Sequence, residues 1–159
     1  MKLTIFAVGH KMPEWISQGC AEYIKRMPRE LPLSVVEIKP EARASNGAKT
    51  RATLLAAEAT RLHAAMPGYQ RLVVLDERGE DLNTQQFAQR LDQWMREGGD
   101  TAFVIGGADG IDEALKKAAQ VRLRLSSLTL PHAMARLILC EQVYRAISVL
   151  RNHPYHRAD

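Results

Sequence analysis

The residues best equipped for chemistry gather late in the chain, in the segment Arg151-Asn152-His153-Pro154-Tyr155-His156-Arg157. Histidine titrates near neutral pH and can take or give a proton. Arginine keeps its charge and offers an anion a planar fork of donors. Tyrosine can stack on an unpaired nucleobase. As a group these side chains can bind a phosphate, hold a base and handle a proton; a solvated terminus is the plainer reading of the same residues. His153, His156 and the more distant His132 also offer three nitrogens to a metal. No carboxylate or thiol stands at ligand spacing and Pro154 keeps the pair off a helix, so no metal site is expected. His10 and His63 read as surface residues.

Two earlier segments have the composition of ligand loops. Ile105-Gly106-Gly107-Ala108-Asp109-Gly110 places glycines where a backbone must pass close to something, ahead of a helix start with free N–H groups. Its first two glycines are adjacent, which is not the spacing of dinucleotide folds, and a tight strand-to-helix turn without a ligand is equally compatible. Leu125-Ser126-Ser127-Leu128-Thr129-Leu130-Pro131-His132 interleaves hydroxyls with leucines. An extended loop of this kind lays leucines on a flat apolar ligand and turns hydroxyls and amides to its polar edge, as adenine would require. A buried connector with capping hydroxyls is the alternative.

These segments need elements to hold them, and the pattern supplies five strand–helix units in a row. Strands are expected at Leu3 to Val8, Leu33 to Ile38, Arg71 to Leu75, Thr101 to Ile105 and Arg122 to Leu125. Between them run a helix striped by Ile16, Cys20, Tyr23, Ile24 and Met27, an alanine-rich helix from Ala48 to Met66, and a third marked by Phe87, Leu91, Trp94 and Met95. A short helix ending at Ala119 and a last one from Ala133 to Leu150 complete the set. Lys39 to Gly47 is a polar loop and the least ordered-looking part of the chain. Alternation of this kind argues for an α/β fold, a parallel sheet covered by helices on both faces. Ligands of such sheets bind beyond the carboxyl ends of the strands, which selects the loops after Leu75, Ile105 and Leu125.

The last helix is apolar around most of its circumference, more than one stripe against a sheet requires. A partner subunit is the economical cover. Glu141 and Arg145 can pair at i and i+4 on the polar strip that remains.

The totals bound the function class. The 159 residues suit one domain, 1–159, without internal repeat or linker, and apolar and charged fractions of 46% and 25% are those of a globular protein. No apolar run reaches the roughly 20 residues of a membrane span, and the apolar start from Leu3 is too short for a signal peptide. Cys20 and Cys140 sit in helix-like apolar segments and are expected to pack as core thiols rather than as a disulfide, which points to the cytoplasm. A net charge of +4 permits a polyanionic partner without requiring one.

Taken together, IGGADG, LSSLTLPH and NHPYHR closely resemble the RlmH family of 23S ribosomal RNA pseudouridine N3-methyltransferases, within the SPOUT class of knotted methyltransferases. The resemblance runs from the opening KLTIFAVGHKMPEW through LVVLD to the tail, and departs mainly in Lys39 to Lys49 and Glu77 to Asp81. It implies a C-terminal trefoil knot, in which the last βα unit threads an earlier loop, and S-adenosyl-L-methionine as cofactor. The cofactor-binding positions it implies are Leu75, Gly106, Leu125, Ser126, Ser127, Leu128, Thr129 and Leu130. The implied reaction leaves the catalytic group among Tyr155, His156, Arg157 and His132, with His153 nearby, and the base is left open among them. The implied substrate is 23S rRNA in the assembled 70S ribosome, and the implied assembly is a homodimer whose subunits complete each other's active site. Two rivals use the same features: a doubly wound nucleotide- or flavin-binding protein, and a ribosome-associated factor that binds RNA and catalyses nothing.

Overall fold

Residues Leu3–Val8 form the first strand, β1, and every one of them is buried, as a strand covered on both faces must be. In a computed structural model, which describes residues 1–44 and 46–157, the elements follow in alternation. They are α1 (Glu14–Arg26), β2 (Leu33–Ile38), α2 (Arg51–Ala65), β3 (Arg71–Asp81), α3 (Thr84–Glu97), β4 (Thr101–Ile105), α4 (Glu113–Ala118), β5 (Val121–Arg124) and α5 (His132–Leu150). All five strands pair in parallel in the order β2-β1-β4-β3-β5.

Strand alternation sorts the side chains into two layers. Leu3, Ile5, Val73 and Phe103 join Ile16, Leu91, Leu139 and Val143 of α1, α3 and α5 on one face. Phe6, Val8, Val74 and Val104 join Leu62 of α2 and Leu115 of α4 on the other. The α/β architecture expected from the alternation is therefore the one observed.

Helix starts follow the capping chemistry of the sequence. Asn83 and Gln86 form a reciprocal capping box at α3, and Thr50 and Asp112 cap α2 and α4 with side-chain oxygens. The cap at Thr50 starts α2 at Arg51, three residues after the expected Ala48. The preceding segment is tied down by charge: Glu41 pairs with Lys49 and Arg61, and Arg43 with Asp109 at 2.6 Å. Cys20 and Cys140 are free and buried, with their thiols close enough to interact. That contact and burial push the Cys140 thiol up.

One strand differs from expectation in a way that shapes the site. β3 does not stop at Leu75. Leu75 pairs with Leu123, then Glu80 meets the same Leu123 and Asp81 meets Arg124, so residues 76–79 leave the ladder and return. Gly79 closes this excursion against β5. A Cβ there would lie 2.6 Å from the carbonyl carbon and oxygen of Arg122, a contact only glycine permits.

The apolar girth of α5 also has a cause within the chain. The helix lies between α1 and α3 on the sheet. A Cβ on Gly19 of α1 would come 2.7 Å from Leu137, and Thr84 of α3 donates to Gln142 at 3.2 Å. Sheet and two helices thus cover three sides. Met134, Leu137, Ile138, Tyr144 and Leu150 stay only half-buried.

Candidate active site

The carboxyl ends of β3, β4 and β5 open into a cavity of about 590 Å³, within the usual range for small-molecule sites. β3 delivers Leu75 and Asp76 to it, and the turn after β4 delivers Gly106 through Gly110. The segment after β5 delivers Leu125, Ser126, Leu128, Thr129 and Leu130, and α5 adds His132 and Ala135. Seven of the eight expected cofactor positions therefore converge, with His132 beside them. Ser127 is exposed and lies outside the lining.

The glycine turn is built differently from the expectation of bare backbone facing a ligand. A Cβ on Gly106 would lie 2.5 Å from the carbonyl oxygen of Gly110 and 2.6 Å from Ile111. The turn folds onto itself there, and glycine is needed for that closure. Arg51 holds the turn from outside, its Nε and Nη2 both donating to the Asp109 carbonyl at 3.1 and 2.7 Å. The hydroxyl segment likewise spends one group on its own loop, since Ser126 Oγ accepts from the Leu128 amide at 2.9 Å. Leu128 itself is 77% exposed, an apolar side chain standing at the mouth of the cavity.

Charges of both signs face the cavity. Asp76 Oδ2 lies 3.8 Å from Lys116, which Glu113 shares at 3.4 Å. Arg136, one turn beyond His132 on α5, is only 2% exposed. Its Nη1 is 3.4 Å from Glu37, while Nε and Nη2 have no hydrogen-bond partner among the described residues. Gly9 leaves it room, because a Cβ there would sit 3.2 Å from Nη2. Nothing in the local sequence marks this arginine as buried, since its helix neighbours fit an ordinary apolar face.

The tail residues are elsewhere. Pro154–Arg157 form a 3-10 helix packed against α5 that takes in His156 but not His153, so the two histidines do not share a helix. Proline suits a first helical position because its missing N–H is not needed there. The Tyr155 hydroxyl donates to Glu141 at 3.0 Å and lies 3.4 Å from the Tyr23 hydroxyl. Its ring meets Tyr144 edge-on at 4.7 Å beneath the Arg145 guanidinium. Burial, then the Tyr23 and Glu141 contacts, push the Tyr155 phenol up. Arg157 bonds the Asn152 side chain, and His156 Nδ1 is buried without a partner among the described residues. Tyr155 reaches back to Glu141, nine residues and about 14 Å along α5 from His132, and no tail residue lines the cavity. Within one chain the cavity and the tail do not meet. Among the described residues no three His, Cys, Asp or Glu side chains are placed to share a metal ion, and no helix is long and apolar enough to cross a membrane.

The five-stranded parallel sheet covered by helices, with a cavity at the carboxyl ends of β3, β4 and β5, is the fold of a SPOUT methyltransferase. The family model described as "Predicted SPOUT methyltransferase" matches residues 1–156. Ribosomal RNA large subunit methyltransferase H of Dechloromonas aromatica is 65% identical over 157 residues, covering 99% of both chains. The protein of the same name from Ralstonia pickettii is 58% identical over 99% of both. The chain belongs to the ribosomal RNA large subunit methyltransferase H family. Solved structures carry the fold alone. A methylase family protein from Haemophilus influenzae matches with a TM-score of 0.59 at 13% identity, over 97% of this chain and 69% of that one. TrmJ from Z. mobilis matches at 0.51 and 13%, over 90% and 69%.

Proposed function

We propose that this methyltransferase moves the methyl group of S-adenosyl-L-methionine to N3 of a pseudouridine in 23S rRNA, in the cytoplasm and on the assembled 70S ribosome. We propose further that it works as a homodimer in which the cavity of one subunit faces the tail of the other. The observation that carries this reading is that no tail residue lines the cavity, while Tyr155 is held away from it by Glu141 and Tyr23. Each group suits half of a methyl transfer to RNA, and a single chain keeps the halves apart. A second copy, related by a two-fold axis, brings the foreign tail to each cavity, and the half-buried apolar residues of α5 offer a surface for it. The Gly79 crossing over β5 supports the proposal that β5 and α5 are threaded past an earlier loop as a knot.

The cavity fits the cofactor. Leu75, Leu125 and Leu130 supply apolar walls for a flat base, and Glu113 and Lys116 supply charges of both signs for an amino-acid zwitterion. When bound, the cofactor supplies an electrophilic methyl on a sulfonium sulfur. The residues of the chain manage the nucleophile. N3 of the pseudouridine is a weakly acidic imide, so its proton must leave as the bond to carbon forms and the bond to sulfur breaks. Arg157 meets the negative charge that develops on the ring, and His153, His156 or the cavity's His132 accepts the proton. Tyr155 can stack on the flipped base.

Labelled cofactor offered to 70S ribosomes, separated subunits and naked 23S RNA tests the proposal. Transfer to the 70S particle, mapped to N3 of one pseudouridine, is the expected result. Cofactor binding without transfer to any of the three overturns the enzymatic reading in favour of a binding factor.

A further inference from the structure

Across this fold, half-buried carboxylates and cations are closely paired. Arg71 meets Glu97 at 2.9 Å and Arg145 meets Glu141 at 2.8 Å, and Glu41 is bracketed by Lys49 and Arg61. Asp76 is the exception. Its side chain is 9% exposed, lower than any other carboxylate in an ion pair among the described residues, yet its cation stands off at 3.8 Å. Among the described residues its Oδ1 accepts only the Arg78 amide two residues on, at 3.1 Å. An ionised carboxylate has about four acceptor sites, so this one keeps acceptor capacity in reserve. Asp76 spends its spare capacity toward the cavity, which it lines.

The wider lining carries both signs. Asp76, Glu77, Asp109 and Glu113 outnumber Arg51, Arg78 and Lys116 by four to three, in a protein whose total charge is +4. Asp109 is paired with Arg43, so the remaining carboxylates match the cations of the lining on a basic molecule, a setting that admits a cationic small ligand.

We infer that Asp76 is a further binding residue of this cavity, whose carboxylate takes the positive charge of the ligand and favours a sulfonium over its neutral thioether product. The inference rests on the cofactor reading proposed above. S-Adenosylmethionine carries a sulfonium and an ammonium, whereas S-adenosylhomocysteine keeps the ammonium alone. A carboxylate facing the cavity therefore holds the methyl donor more firmly than the spent product, which assists exchange of one for the other.

Asp76→Asn is nearly isosteric and retains an oxygen for the Arg78 amide, so the turn survives while the charge is lost. Calorimetry on the full-length protein with each ligand is the test. The variant is expected to bind S-adenosylmethionine about ten- to a hundredfold more weakly, the range for a hydrogen bond to a charged group. Its affinity for S-adenosylhomocysteine is expected to fall less. Asp76→Ser, which also keeps an acceptor for the amide, repeats the measurement if the asparagine variant does not fold. Equal affinity of wild type and variant for S-adenosylmethionine overturns the inference, and an equal loss for both ligands overturns the preference for sulfonium. Wild-type protein that binds neither ligand overturns the cofactor reading itself, a result distinct from either.

Discussion

The two ends of α5 serve different needs. At its start, His132 and Ala135 border a cavity whose polar groups are loosely engaged, with Asp76 and Lys116 3.8 Å apart. At its end, Tyr155 packs among Tyr23, Tyr144, Glu141 and Arg145 in a closely bonded cluster. Loose polar groups beside a cavity leave capacity for a ligand, and satisfied ones hold a shape. The lesson is that the tail is presented, on a rigid helix end, to something other than its own cavity. Breaking one end should therefore leave the other end's property intact.

The largest effect is expected from removing the tail. Deletion of residues 152–159 is expected to lower methyl transfer about a hundred- to ten-thousandfold, the usual contribution of a positioned proton-handling group. Cofactor affinity measured by calorimetry should remain within about threefold, because these residues line no part of the cavity in their own subunit. A truncated protein that transfers methyl at the full-length rate would remove the tail from catalysis.

Next comes the opposite end. Gly106→Val is expected to weaken cofactor binding about a hundredfold, since overfilling a packed turn typically costs 1–3 kcal/mol, about 3 kcal/mol at the upper end. The cause differs from a side chain entering ligand space: the new Cβ strikes the Gly110 carbonyl at 2.5 Å and opens the turn. Retained affinity in a folded variant would show that the closure of this turn is dispensable for binding.

A sharper use of the contrast is to mix the two broken proteins. Equal amounts of Gly106→Val and tail-deleted chains, allowed to exchange subunits, place one intact cavity opposite one intact tail in each mixed dimer. Half of the dimers are then mixed and each has one working site, so about a quarter of wild-type transfer should return. No recovery from two inactive parents, with exchange confirmed by mass, would sink the shared active site.

How much of this was legible in the sequence depends on whether the cause was local. Strand and helix types follow from apolar spacing, so Leu3 to Val8 and the Ile16–Cys20 stripe appear as expected. The cavity loops were found because strand ends in parallel sheets are a rule of topology. The excursion at residues 76–79 was not found, because its cause is the backbone of Arg122, forty-three residues later in the chain. A lone Gly79 inside the run was the available signal, since an isolated strand glycine marks a bulge or a close backbone approach. The burial of Arg136 was invisible for the same reason: its surroundings come from β1 and β2. Chemistry groups the three tail residues with the cavity, and only the packing of Tyr155 on Glu141 and Tyr144 shows that they do not line it.

The smallest effect concerns what holds the tail in place. Tyr155→Phe removes a hydroxyl that donates to Glu141 and touches Tyr23, and is expected to cost about 1 kcal/mol at neutral pH. For a chain of this size that lowers the melting temperature by about 2–4 °C. The same substitution has a signature in alkali. The folded protein holds the Tyr155 proton more firmly than an unfolded chain does, chiefly through burial and then through Tyr23 and Glu141. Below about pH 10, the ordinary phenol value, both states are protonated and the full contribution is present. As pH rises past that point the unfolded chain ionises first, so the wild-type protein loses stability that the phenylalanine variant does not have to lose. The gap in melting temperature between the two should therefore narrow above about pH 10, while titrations common to both proteins cancel in the difference. A gap that stays constant from about pH 8.5 to 11 would mean that the Tyr155 hydroxyl is not held in this cluster. The tail would then lack the anchor that fixes it at the far end of α5.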